Sequence, residues 1–176
     1  MTMLKRTSMS SLVYKLRPLL IGCVLFTTIA TALFFTGLRY NVSPSLPRGL
    51  YIRTAHSPLV SVCPTSETRS RLYRLPGNCP DGLAPLLKHI AARQGDSVQL
   101  GREGVRVNGV LIRNSQPRTT DSHGRRLNPY PYGRYKIAAD HVWLASSYEP
   151  LSFDSRYFGP VLTSEISFAL KPLLTW

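Results

Sequence analysis

The sequence predicts a mainly β protein, with an N-terminal transmembrane helix ahead of an antiparallel, partly barrel-like β domain. Three observations carry that expectation. An apolar run without a single charge covers residues 18–38. Beyond it, apolar residues fall in short runs of three to seven residues separated by turn-forming clusters, not at helical spacing over long windows. Asn108-Gly109 lies between Val105-Arg106-Val107 and Val110-Leu111-Ile112, and that dipeptide between apolar runs is the strongest short hairpin signal.

The length of 176 residues suits one domain plus one anchor. Hydrophobic content of 43% is ordinary for a packed core and excludes wholesale disorder. The net charge is +13, and no acid precedes Glu67. A basic surface next to a bilayer suits anionic headgroups. It also suits nucleic acid, but no helix-turn-helix, RNA-binding aromatic box or zinc-finger spacing is present, so no nucleic-acid partner is expected.

Taken in order, residues 1–17 form a basic tail with Lys5, Arg6, Lys15 and Arg17, expected in the cytoplasm. Residues 18–38 are expected to cross the membrane as a signal-anchor, being long enough to span a hydrocarbon core of roughly 30 Å. A cleaved signal peptide competes, with Ala30-Thr31-Ala32 as a small-residue site. The apolar run continues past that site and exceeds the usual signal-peptide core of ~7–15 residues, which favours the anchor. In either case residues 39–176 are exported.

Asn41–Tyr51 follows, with Ser43 and Ser45 among Pro44 and Pro47. Proline fixes φ and removes donors, so this segment reads as a stiff extended loop. Leu50–Ile52 and Leu59–Val62 read as strands. Residues 64–82 read as a loop rich in Pro, Ser, Thr, Arg and Gly. Cys63 and Cys79 flank it, each before a proline. Two readings stand for them, free thiols or, after export to an oxidising compartment, a disulfide contributing roughly 3 kcal/mol. Cys23, within the apolar run, reads as an inert small hydrophobe. Leu86–Ala92 is apolar around Lys88 and His89, and Gln94-Gly95-Asp96 closes it as a turn. Ser97–Leu100 alternates as a strand before the Asn108-Gly109 hairpin. Residues 113–134 read as a long exposed loop. His141–Ala145 and Ile166–Leu170 read as strands around the polar cluster Ser152–Pro160.

Several chemistries lack their residues. There is no Gly-x-Ser-x-Gly elbow, no His-Glu-x-x-His, no Cys-x-x-Cys and no phosphate loop, so no metal and no cofactor is expected. Three features remain: Ser45 with Ser43, the lone Lys88, and Ser152 with Asp154 and Arg156. A serine attacks only when a base takes its proton. A lysine serves only if its pKa falls from about 10.4 towards neutrality, which apolar surroundings such as Leu87 and Ile90-Ala91-Ala92 would bring about. Otherwise Lys88 is a lysine whose stem packs and whose head reaches water.

The ordered set Ser45-Leu46-Pro47-Arg48-Gly49-Leu50-Tyr51, Leu87-Lys88-His89-Ile90 with Gly95-Asp96-Ser97-Val98, Val107-Asn108-Gly109, and Ser152-Phe153-Asp154-Ser155-Arg156-Tyr157-Phe158-Gly159 resembles the type I signal peptidase family. Within that family it is similar to the conjugative transfer peptidases of the TraF type. The resemblance implies a signal-peptidase-like fold and a serine endopeptidase, held in the bacterial inner membrane by a single span with its catalytic domain in the periplasm. Ser45 matches the nucleophile and Lys88 the general base. Ser43, with the Ser45 backbone N–H, matches the oxyanion hole. Ser152 matches a serine that orients the lysine amine, and Asp154 and Arg156 match a late Asp-Ser-Arg box. In the conjugative group that aspartate counts with the serine and lysine as needed for activity. Since an ionised Asp154 would raise the Lys88 pKa, its expected part is to pair with Arg156 and hold the loop.

The implied substrate is a membrane-inserted protein, the pilin precursor of a conjugation apparatus, which is trimmed and in some systems cyclised. Two departures stand out. Leu46 replaces the usual methionine, and Ser146-Ser147-Tyr148 stands near the usual Gly-Asp-Asn, which fits the conjugative group better than a general preprotein peptidase. A silent scaffold of a secretion channel would be marked by loss of Ser45 or Lys88, and both are present.

Overall fold

The computed structural model describes residues 9–63 and 76–176, with side chains from residue 16 onward apart from 33 and 34. Most of the basic tail (1–8) and of the loop read from the sequence (64–75) lies outside the described residues. The chain divides into two compact units at Leu38/Arg39.

The first unit contains helix α1, Met9–Phe35, with Pro18 inside it. The apolar run was expected to continue as helix to residue 38. Instead α1 stops at Phe35, the Thr36 N–H closes on the Ala32 carbonyl, and Gly37 takes φ 68°. That left-handed residue is the usual way to end a helix, and only glycine adopts it without cost. Among the described residues no helix is long and apolar enough to cross a membrane.

The second unit is mainly β. Its strands are β1 (Leu38–Asn41, which begins one residue before the division), β2 (Gly49–Thr54), β3 (Leu59–Val62), β4 (Leu86–Ala92), β5 (Ser97–Gly101), β6 (Gly104–Val107), β7 (Val110–Leu111), β8 (Gly133–Lys136), β9 (His141–Ala145), β10 (Val161–Leu162) and β11 (Ile166–Thr175). Among the described residues a short α-helix, α2, spans Ser155–Phe158. The strands form a seven-stranded sheet in the order β1-β2-β11-β3-β4-β9-β10 and a four-stranded sheet in the order β7-β6-β5-β8. Among the described residues both orders are open at their ends, and neither sheet closes into a barrel.

The hairpin at Asn108-Gly109 joins β6 to β7, with φ 48° and 86° at the two turn residues. Those are the paired positive values that a two-residue hairpin turn of this kind requires. The loop expected over 113–134 is irregular as far as residue 132 apart from one bridge between Thr120 and Arg126, and its last two residues, Gly133 and Arg134, belong to β8.

Four elements were not anticipated. β1 begins at Leu38, the last residue of the run expected to be helical, and continues over Arg39–Asn41, for which no strand was read. β8 carries Arg134 and Lys136 on its exposed positions and sits at a sheet edge, so it shows no apolar alternation. β10 is two residues long, and α2 is a single turn capped by Asp154. β11 is also longer than read, passing through Pro172. Its pairing with β3 ends at Leu170↔Leu59, whereas that with β2 continues. Pro172 therefore sits where β11 has one partner, next to a shift in register, and its missing N–H is tolerated there.

Three apolar clusters hold the unit together. Trp143, Val98, Leu100, Val105 and Ile137 join the smaller sheet to β9. Val60, Val62, Val142, Leu144 and Val161 pack on the larger sheet. Leu46, Tyr51, Leu59 and Leu170 form the third, so the Ser/Pro loop is anchored to the core by Leu46.

Gly49 opens β2 with φ 142°, and a Cβ there would lie 2.1 Å from the Leu174 carbonyl oxygen. Both the backbone conformation and the β2–β11 contact demand glycine. Gly49→Ala is expected to cost about 2 kcal/mol or more in denaturant unfolding. An unchanged midpoint would show that the β11 end can move aside.

Candidate active site

The serine loop has no regular hydrogen-bond ladder of its own, so side chains must fix it. Asn41, almost fully buried, does most of this. Its Nδ2 donates to the carbonyls of Ser43 (3.1 Å), Leu46 (3.3 Å) and Pro47 (3.1 Å), and its Oδ1 accepts from the Ser43 N–H (3.0 Å). The Tyr51 hydroxyl donates to the Pro47 carbonyl at 2.6 Å. The Ser45 N–H reaches Ser43 Oγ over a long 3.3 Å. The two groups matched to an oxyanion hole are thus adjacent, joined by a bond weak enough to exchange for a substrate oxygen.

Lys88 sits in the middle of β4, opposite Val60. Strand alternation puts Leu86 and Ile90 on its own face and Leu87 and His89 on the other. Its side chain is 3% exposed. The amine lies 2.7 Å from Ser45 Oγ and 2.9 Å from Ser152 Oγ. Burial pushes its pKa down from the ordinary 10.5 to about 8; Asp154 raises it, Arg156 lowers it, and Glu149 raises it, each by a smaller amount. No hydrogen bond joins His89 to Ser45 among the described residues.

The Asp-Ser-Arg segment forms α2 and its cap. Asp154 and Arg156 are both fully buried and paired through two bonds of 2.8 Å, Nε to Oδ1 and Nη2 to Oδ2. Arg156 also donates to the carbonyls of Asn114 (3.1 Å), Gln116 (3.3 Å), Pro150 (3.1 Å) and Ser152 (2.8 Å). A fork with five N–H donors suits this task, and a lysine would not. The bond to the Ser152 carbonyl fixes the backbone from which the Ser152 hydroxyl meets Lys88. Ser155 Oγ accepts from the Leu144 N–H at 2.9 Å and ties the segment to β9.

Two residues escaped the sequence reading. Asn41 was only the start of a loop, and its clamp depends on packing that no local motif displays. Ser146 appeared only as a departure from Gly-Asp-Asn. It is buried, its N–H donates to Asp154 Oδ2 (3.0 Å), and its Oγ donates to the Ser45 carbonyl (2.8 Å). It therefore links the Asp154–Arg156 pair directly to the backbone of Ser45. The same Oγ accepts from the N–H groups of Tyr148 (3.2 Å) and Glu149 (3.1 Å).

A groove of about 550 Å³ opens on the pair, lined by Ser43, Ser45 and Lys88 together with Leu87, Ser61 and Phe168. Cys63 and Cys79 are joined by a disulfide, and Cys63 with Pro76 and Gly77 forms another part of the groove wall. Among the described residues, no cluster of His, Cys, Asp or Glu is arranged to hold a metal ion.

The family described as signal peptidase, peptidase S26, matches residues 12–170, and the chain belongs to that family. Its relatives include a plasmid transfer protein TraF of Escherichia coli, 35% identical over 158 residues, covering 84% of this chain and 89% of the relative. A probable conjugal transfer protein TraF of Sinorhizobium fredii (strain NBRC 101917 / NGR234) is 36% identical over 175 residues, covering 91% of each. A conjugal transfer protein TraF of Agrobacterium tumefaciens (strain 15955) is 36% identical over 169 residues, covering 89% of this chain and 94% of the relative. Among solved structures, a signal peptidase I of Enterococcus faecalis V583 is similar with a TM-score of 0.38 and 15% identity, over 67% of this chain and all of that one.

The buried amine carries a stability cost with a definite sign. Because the folded chain holds the Lys88 pKa near 8, the unfolded chain binds that proton more strongly. The cost is complete below about pH 8, shrinks as pH rises towards 10.5 and is absent above it. Lys88→Met is therefore expected to stabilise the protein at pH 7 by up to about 3 kcal/mol, with the gain fading between pH 8 and 10.5. Denaturant midpoints of the two proteins across that range check it. A destabilised Lys88→Met at pH 7 would contradict it.

Proposed function

We propose that this protein is a membrane-anchored serine endopeptidase of the signal peptidase type, with Ser45 as nucleophile and Lys88 as general base. The observation that carries the reading is the 2.7 Å contact between Ser45 Oγ and an amine that burial holds near pKa 8. At pH 7 about a tenth of such an amine is neutral, against well under a thousandth for an ordinary lysine.

Neutral Lys88 accepts the Ser45 proton as Oγ bonds to the scissile carbonyl carbon. The developing oxyanion takes hydrogen bonds from the Ser45 N–H and the Ser43 hydroxyl, donors typically worth ~3–4 kcal/mol each. The intermediate collapses, the C–N bond breaks, and the leaving amine receives the proton from Lys88. Water then hydrolyses the acyl-enzyme, or a nearby amine captures it as a new peptide bond. Ser152 holds the lysine amine, and Asp154 and Arg156 hold Ser152 and Ser146 in place.

The substrate in this reading is a membrane-inserted precursor, the pilin subunit of a conjugation apparatus. Its support is the TraF relatives, whose names are plasmid transfer and conjugal transfer proteins. The reading includes α1 as a single membrane anchor with residues 39–176 in the periplasm. A helix of 27 residues extends roughly 40 Å at 1.5 Å per residue. Its side chains at Leu19, Leu20, Ile21, Val24, Leu25 and Phe26 are exposed and apolar, a surface suited to lipid. The basic chain and its disulfide suit anionic headgroups and an oxidising compartment.

Processing of the pilin precursor in membranes tests this reading. Ser45→Ala and Lys88→Ala are each expected to slow cleavage by a thousandfold or more, about the loss typical when a nucleophile or its base is removed. The wild-type kcat/KM is expected to rise with pH through about 8 and then level, because the base acts only after losing its proton. Full processing by either variant, or a rate that falls as pH rises from 6 to 8, would overturn the dyad.

A further inference from the structure

Ser61 lies on β3, where Leu87 of β4 and Phe168 of β11 are its cross-strand partners. Directly paired residues project from the same face of a sheet, with Cβ atoms about 5 Å apart. Leu87, Ser61 and Phe168 therefore form one row, on the face of the sheet opposite to that of Lys88, and all three line the groove to which Ser45 and Lys88 also contribute. Arg53, whose guanidinium lies 3.9 Å from the centre of the Phe168 ring, lines the groove beside that row.

The Ser61 hydroxyl is fully buried and has no hydrogen-bond partner among the described residues. Such groups are few in folded proteins, because leaving one unpaired forfeits its hydration without return. A valine or alanine would fill the same row at no such cost. Ser61 also belongs neither to the nucleophile, nor to its base, nor to the network that holds them. Its position is next to Leu87, the neighbour of the base on β4.

We propose that Ser61 is a specificity-determining residue, whose hydroxyl pairs with a polar side chain of the substrate seated between Leu87 and Phe168. The inference rests on the reading of this groove as the substrate groove. A wholly apolar row would accept small aliphatic side chains and could not reject a hydroxyl strongly. A row with a buried hydroxyl favours a partner that satisfies it. The substrate class is thus a peptide that places a serine- or threonine-type side chain, or another hydrogen-bonding group of that size, at one fixed position relative to the scissile bond.

The test compares threonine with valine, which match in shape and differ by the hydroxyl. Short peptides carrying each residue in turn at every position near the scissile bond are offered to the full chain in detergent micelles. Cleavage is measured with the wild type, and binding with the Ser45→Ala protein. At one position threonine is expected to exceed valine by about tenfold in kcat/KM and in affinity. Ser61→Val and Ser61→Ala, each made also in the Ser45→Ala background for the binding assay, are expected to bring that ratio close to one. Ser61→Thr, of the same volume as valine, is expected to keep it. Ser61→Ala is also expected to unfold at an equal or higher denaturant concentration, because it removes an unpaired group.

A threonine-to-valine ratio near one at every position in the wild type would overturn the inference. So would a ratio that survives loss of the hydroxyl, or the absence of any peptide binding. A Ser61→Ala protein that is less stable with its ratio unchanged would assign the hydroxyl a structural part instead and likewise overturn it. If no peptide is cleaved but Ser45→Ala binds with a Ser61-dependent preference, the inference stands and the peptidase reading falls.

Discussion

The site depends on one constraint, the withdrawal of the Lys88 amine from water while it stays within reach of two hydroxyls. Burial lowers its pKa to about 8, and the same burial destabilises the fold at neutral pH. Ordered surroundings are what make that state persist. The amine needs Ser45 and Ser152 at hydrogen-bond distance, because a buried amine without partners would cost still more. Both serines lie on irregular segments, so most of the remaining wiring serves to fix those segments.

Asp154 and Arg156 show how that is done without defeating the lysine. A lone buried carboxylate near Lys88 would hold its proton on, and a lone guanidinium would drive it off. Together the two act on Lys88 in opposite directions, so each offsets part of the other's effect on the amine. What remains is mechanical. Arg156 gathers four backbone carbonyls, including that of Ser152, and Asp154 reaches the Ser45 carbonyl through Ser146. On the other side Asn41 and Tyr51 fix the loop that carries Ser43 and Ser45.

The sequence made much of this legible, but unevenly. Segments with β-branched alternation and the Asn108-Gly109 turn announced themselves, because their signals are local. β8 and β10 did not, since an edge strand with exposed Arg134 and Lys136 and a strand of two residues leave no apolar pattern. Gly37, which ends α1, was read as part of the apolar run because positive φ is a backbone property that glycine permits but does not declare. The grouping of Ser45, Lys88 and Ser152 came from motif order, and no distance between them could be read that way. Spacing assigned the desolvation of Lys88 to its neighbours on β4. Alternation leaves only half of those on its face, and tertiary packing supplies the rest. Asn41, Ser146 and Ser61 were invisible as functional groups, because their parts are defined by what they touch, or fail to touch, across the fold.

The most direct test of this account is the titration of the Lys88 amine itself. The protein is labelled at lysine Cε and Nζ, and the Lys88 signals are assigned by comparison with Lys88→Met and followed by NMR from pH 6 to 11. The account predicts a midpoint near 8 for Lys88, apart from the other lysines. A midpoint near the ordinary 10.5 would mean that the amine stays protonated at working pH, and would contradict the claim that burial makes Lys88 the base for Ser45.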